Sequence, residues 1–95
     1  MDHRKQFLVR PGEKLSLAGI DPSYSGAYAS AEAALPEMQK NVARMNELQA
    51  LLYADGNQSL LVVLQALDAA GKDGVVRHLF SGMNPQGTRV FGFKQ

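Results

Sequence analysis

Residues 59–79, "SLLVVLQALDAAGKDGVVRHL", run from an apolar stretch through a glycine-lysine turn into an amphipathic segment. "SLLVVLQ" (59–65) is apolar at consecutive rather than alternate positions, the pattern of a strand covered on both faces in a parallel sheet. After the turn, Val75, Val76, Leu79, Phe80 and Met83 share one side of a helix, with Asp73, Arg77, His78 and Ser81 elsewhere and Gly82 as the stop. "NPQG" (84–87) has proline second and glycine fourth, as a turn prefers, and "TRVFGFK" (88–94) reads as a second strand. Strand, loop, helix, turn and strand make a βαβ unit with a right-handed crossover.

The turn carries the chemistry. Backbone N–H groups at the start of a helix hold phosphate oxygens, and the helix dipole adds favourable potential there. Gly71 and Gly74 let the main chain approach a ligand with no Cβ in the way, and Lys72 supplies a mobile ammonium. The ordinary phosphate loop, G-x-x-x-x-G-K-[ST], is broken twice: Ala66 stands at the first glycine and Asp73 at the metal-binding hydroxyl. A dinucleotide fingerprint of the G-x-G-x-x-G type is absent. Two carboxylates, Asp68 and Asp73, repel a polyanion unless a divalent cation bridges them or one of them orients the attacking group. The plain alternatives are an N-cap for Asp68, dipole complement for Asp73, and a solvated helix face for Arg77 and His78.

Upstream, "PEMQKNVARMNELQALLYA" (36–54) places Met38, Val42, Met45, Leu48 and Leu52 on one helical face with Leu51 beside them. Pro36 suits a first turn, Gly56 a left-handed stop, and "AYASAEAAL" an extra, kinked turn ahead. Residues 1–30 are punctuated by Pro11-Gly12, Gly19, Asp21-Pro22 and Ser25-Gly26. With Phe7, Val9, Leu15, Leu17 and Ile20 as spaced apolar anchors, they read as an ordered arm laid over a body. The organisation expected is therefore an arm (1–30), a helix (31–56), and a strand, phosphate loop, helix and strand (59–95).

Ninety-five residues suit one small domain, and 45% hydrophobic with 20% charged residues is ordinary for a folded chain. A net charge of +1 gives no general argument for nucleic acid or a membrane surface as partner. Without cysteine there is no disulfide and no thiolate metal site. No stretch nears the roughly 20 apolar residues of a bilayer span, and "MDHRKQFLV" is unlike a signal peptide. A cytoplasmic location is expected.

The segment "LLVVLQALDAAGKDGVVRHLFSGMNPQGTRVFGFK" (60–94) closely resembles the Walker A region of the polyphosphate kinase 2 family, of the form G-x-D-x-x-G-K-x-G. Asp68, Gly71, Lys72 and Gly74 fall on that pattern and only Ala66 departs from it. "RPGEKLSLAGIDP" and "LQALLYADG" are similar to the family as well, so the resemblance spans nearly the whole chain, and it is strongest to the branch that phosphorylates AMP and ADP. The resemblance implies an α/β fold: the N-terminal part of a P-loop kinase-like, three-layer domain with a parallel sheet. It implies transfer of the terminal phosphoryl group of inorganic polyphosphate to AMP or ADP (ATP or GDP elsewhere in the family) with Mg²⁺. Asp68 and Lys72 are then the catalytic candidates, with Asp68 as metal ligand. Ala69, Ala70, Gly71, Lys72, Asp73, Gly74 and Arg77 would bind phosphate. A homo-oligomer is expected at full length. The family's Walker B segment and basic lid have no counterpart here, so the sequence reads as an N-terminal portion. Its alternative function is that of an inactive fragment binding polyanions or a complementing chain.

Overall fold

Ser30 starts the longest element. Its extended backbone turns the chain, and its hydroxyl accepts the Ala33 N–H at 3.2 Å, satisfying one of the donors a helix start leaves open. From there α2 runs Ala31–Asp55 without a break, in a computed structural model that describes residues 2–93. Pro36 therefore lies inside the helix, where it removes only one early hydrogen bond, instead of separating a kinked turn from the main body. Gly56 closes α2 as the sequence requires, at φ 68°, with its N–H on the Leu52 carbonyl at 3.2 Å.

Among the described residues two shorter α-helices accompany α2, α1, Arg4–Phe7, in the arm, and α3, Lys72–Leu79, in the glycine-lysine segment, and the arm also holds one 3₁₀ turn, Leu17–Gly19. The helix α3 ends at Leu79, earlier than Gly82 suggested. Phe80 leaves helical geometry, the Ser81 hydroxyl donates to the His78 carbonyl at 2.9 Å, and Met83 N–H bonds Phe80 O in a turn. At 84–87 the expected turn forms as one turn of 3₁₀ helix, with the Asn84 side chain accepting the Gln86 N–H at 3.0 Å.

The inward face of α2 differs from the apolar stripe by one step. Val42, Met45, Gln49 and Leu52 are half-buried, whereas Leu48 and Leu51 stay exposed. Gln49 takes the place expected for Leu48 because its amide reads both backbone groups of Asn84: Nε2 donates to the carbonyl at 3.4 Å and Oε1 accepts the N–H at 3.3 Å. Residues 82–87 consequently lie close against α2. A Cβ on Gly82 would collide with the Asn46 amide, and one on Gly87 with the Gln49 amide.

The arm is held differently from expectation. Phe7, Val9, Leu15, Leu17 and Ile20 all remain exposed. The arm reaches the body through half-buried Tyr28, whose hydroxyl donates to Glu37 Oε2 at 2.6 Å, with the His3 ring tilted beside it and Phe7 beyond.

Neither 59–65 nor 88–93 forms a ladder, and no strand occurs among the described residues. No described residue is buried. The radius of gyration, 15.7 Å, exceeds the roughly 12 Å of a compact chain of this length. What the packing fixes is the 84–87 turn against α2, while Leu79, at the end of α3, shares a depression with Met38, Val42 and Met45 of α2.

Candidate functional site

The turn before α3 is built from unusual backbone. Ala69 has φ 61° and Gly71 φ 96°, both in the left-handed region, and they flank Ala70, whose N–H bonds the Leu67 carbonyl at 3.2 Å. Glycine adopts that region freely, whereas for alanine it costs about 1–2 kcal/mol. Ala69 therefore stores strain inside the loop. Gly71 caps α3, its carbonyl accepting the Val75 N–H at 3.0 Å, so the open N–H groups of the first helical turn face the loop.

Seven consecutive residues, Asp68, Ala69, Ala70, Gly71, Lys72, Asp73 and Gly74, line one shallow depression of about 200 Å³. All but one of the residues singled out in the sequence thus converge on a single concavity. Arg77 does not line it; it lies exposed in the last turn of α3. Lys72 is half-buried, and its ammonium donates to the Ala66 carbonyl at 3.3 Å, folding the side chain back across the loop it belongs to. Asp68 accepts its neighbour's amide, Ala69 N–H, at 3.1 Å. That bond engages one carboxylate oxygen and leaves the group at the rim. Asp73 sits in the first turn of α3, where its charge complements the dipole. Arg89 is exposed beyond the 84–87 turn, and Lys94 lies outside the described residues.

Among the described residues no group of three or more histidine or acidic side chains could cage a metal ion. The set offered, Asp68 with Asp73 close by in sequence, suits a hard cation that takes one or two carboxylates and draws its remaining ligands from water and phosphate. No described helix is long and apolar enough to cross a membrane.

Sequence reasoning did not foresee the left-handed Ala69 or the Lys72–Ala66 bond. A positive φ at alanine has no local signature, because the loop closes on itself through contacts three to six residues apart.

With this geometry in view, the comparisons with known proteins are specific. Residues 28–95 match the family model described as Polyphosphate kinase 2. An ADP-polyphosphate phosphotransferase from Rhodopseudomonas palustris is 47% identical over 90 residues, 95% of this chain and 31% of the relative. An AMP/ADP-polyphosphate phosphotransferase from Meiothermus ruber is 43% identical over 90 residues, 94% of this chain and 34% of the relative. The chain thus spans about a third of the length of the curated relatives it matches. No solved structure matches it. A family match covering most of the chain leads to one assignment: this chain belongs to the polyphosphate kinase 2 family.

Proposed function

We propose that the depression at 68–74 grips the terminal phosphates of inorganic polyphosphate, in a protein that transfers the end phosphoryl group to AMP or ADP. The observation that carries this reading is the loop's own shape: left-handed Ala69 and Gly71 place a lysine at the first position of a helix, above a concavity lined by backbone. Alternating right- and left-handed backbone turns successive N–H groups to one side, which suits an anion. The N–H groups of Gly71 to Gly74 hold oxygens, those of Ala69 and Ala70 being taken by Asp68 and the Leu67 carbonyl, and Lys72 exchanges the Ala66 carbonyl for the transferred phosphoryl group. Arg77, one turn on, meets phosphates farther along the polymer.

Asp68 is the residue to hold Mg²⁺ at the rim, with Asp73 as a minor neighbour. When bound, the ion neutralises charge on the phosphates. Phosphoryl transfer depends on alignment and charge compensation rather than on covalent help from the protein, so a loop of this kind contributes most of what the donor side needs. The setting we assign to it is a three-layer α/β domain whose parallel sheet takes in 59–65 and 88–93. The alternative, that the 95 residues by themselves are catalytically silent, is favoured by the absence of any buried described residue.

The test joins this chain to the part of the Rhodopseudomonas palustris relative that it does not match, and supplies polyphosphate, Mg²⁺ and either AMP or ADP. Product should form, and Lys72→Ala should lose about 3 kcal/mol of barrier stabilisation, on the order of 100-fold in rate. Rates unchanged in both Lys72→Ala and Asp68→Ala would remove the site assignment.

A further inference from the structure

Asn46, Gln49 and Tyr53 follow one another along α2 at steps of three and four, so they form one stripe on its surface. That stripe meets the segment after α3. The Asn46 amide presses on Gly82, the Gln49 amide bonds the N–H and the carbonyl of Asn84, and the Tyr53 ring borders Gly87. At Gly82 the approach is tight: an added Cβ would overlap Asn46 Nδ2, and Asn46 Oδ1 is buried with no hydrogen-bond partner. A buried acceptor without a bond is costly, so the packing keeps this contact in spite of that cost.

The contact lies at one end of a lever. A turn with Met83 N–H on Phe80 O at 3.2 Å joins Gly82 to the end of α3, and Lys72 stands at the other end of that helix. With 8 residues α3 is about 12 Å long. A tilt of about 10° around Gly82, inside the ordinary scatter of helix packing, carries Lys72 about 2 Å sideways. Where reacting groups must align, a misplacement of about 1 Å costs on the order of 100-fold in rate. Two bonds from one planar amide to one residue's main chain fix direction as well as distance, which an apolar side chain at position 49 could not do.

We infer that Gln49, steadied by the Asn46–Gly82 contact, is a positioning residue: it sets the bearing of α3 and so the place at which Lys72 meets its anion. That the anion is a phosphate rests on the function proposed above. The bearing of α3 exists with no ligand bound and is measured without one, so its failure is separable from failure of the loop's function.

The chain has no cysteine, so Lys40→Cys on α2 and Asp73→Cys at the start of α3, both exposed, place two spin labels with no competing thiol. Electron–electron double resonance on the 95-residue chain then reads the distribution of distances between the two helices. With Gln49 the distribution should be narrow. Gln49→Met keeps the length and the helix preference but loses both bonds, and should widen it by about 2 Å. Gln49→Glu keeps the acceptor for the Asn84 N–H and should fall between the two. Gly82→Ala should move the mean distance rather than widen the distribution, because its Cβ wedges the contact with Asn46 instead of releasing it. Helix content, read by circular dichroism, should be the same in all of them. Equal widths for the parent and Gln49→Met overturn the inference and leave Gln49 as packing alone. So does a loss of helix content in Gln49→Met, which would make it a stabiliser of the fold.

Discussion

Gly71 and Gly74 lie three residues apart at the start of α3, yet replacing each by alanine should move stability in opposite directions. Gly71 is at φ 96°, where an added Cβ meets nothing within 4 Å, so the cost is conformational alone. Left-handed backbone costs alanine about 1–2 kcal/mol, and stiffening of the unfolded chain returns about 0.4–1 kcal/mol. Gly71→Ala should therefore weaken the α3 start by about 1 kcal/mol. Gly74 lies inside α3 with open space around its Cβ position, so alanine there should favour the helix by about 1 kcal/mol. The variants should differ by about 2 kcal/mol, roughly 30-fold in the helical population of α3. Chemical shifts and amide exchange over residues 72–79 read this directly. Titration with polyphosphate supplies the second axis: Gly74 lines the depression, so its alanine variant should bind more weakly although its helix is firmer. An α3 at least as stable in Gly71→Ala as in the parent would refute the backbone argument. Undiminished affinity in Gly74→Ala would refute close approach of a ligand.

Three further outcomes follow from the packing around the loop. Gln49→Ala should lose both bonds to the Asn84 backbone, costing about 1 kcal/mol in this exposed setting, with faster exchange of the Asn84 amide as the readout. Tyr28 titrates above its ordinary value, first because it donates to Glu37, then through burial and the Glu37 charge. With the folded value raised, its tie between arm and body is full below pH 10 and is lost as pH rises through the folded value. An ultraviolet titration with Tyr24 and Tyr53 replaced by Phe should show this, and an ordinary midpoint would contradict it. Ser30→Ala should remove the α2 cap at a cost of about 1 kcal/mol, seen as fraying of residues 31–34 by amide exchange.

The elements legible in the sequence were those fixed by nearby residues. Gly56 ends α2, "NPQG" forms its turn, and the glycine-lysine turn opens a helix, because each depends on φ preferences or on bonds within four residues. Residues that settle their environment at long range were not legible. Gln49 displaces Leu48 from the inward face of α2 by bonding a carbonyl 35 positions away, and apolar periodicity carries no record of such a partner. The arm's aliphatic residues suggested burial, but a tyrosine hydroxyl on a carboxylate does the holding. At the site, the glycine-lysine pattern singled out Lys72 and the glycines and the family resemblance singled out Asp68, and residues 68–74 line one depression. The tether of Lys72 to Ala66 and the left-handed alanine were not legible, since both arise only once the loop has closed.

The Gln49 amide recognises main-chain atoms of Asn84, and those atoms are the same for every residue except proline, which lacks the N–H. Tolerance to mutation should therefore be lopsided across this pair. Position 84 can change its side chain and keep the grip, giving up only the bond that steadies the following turn. Position 49 has almost no substitute: glutamate lacks the donor, asparagine is a methylene too short, and leucine, apt by helical rhythm, offers neither atom.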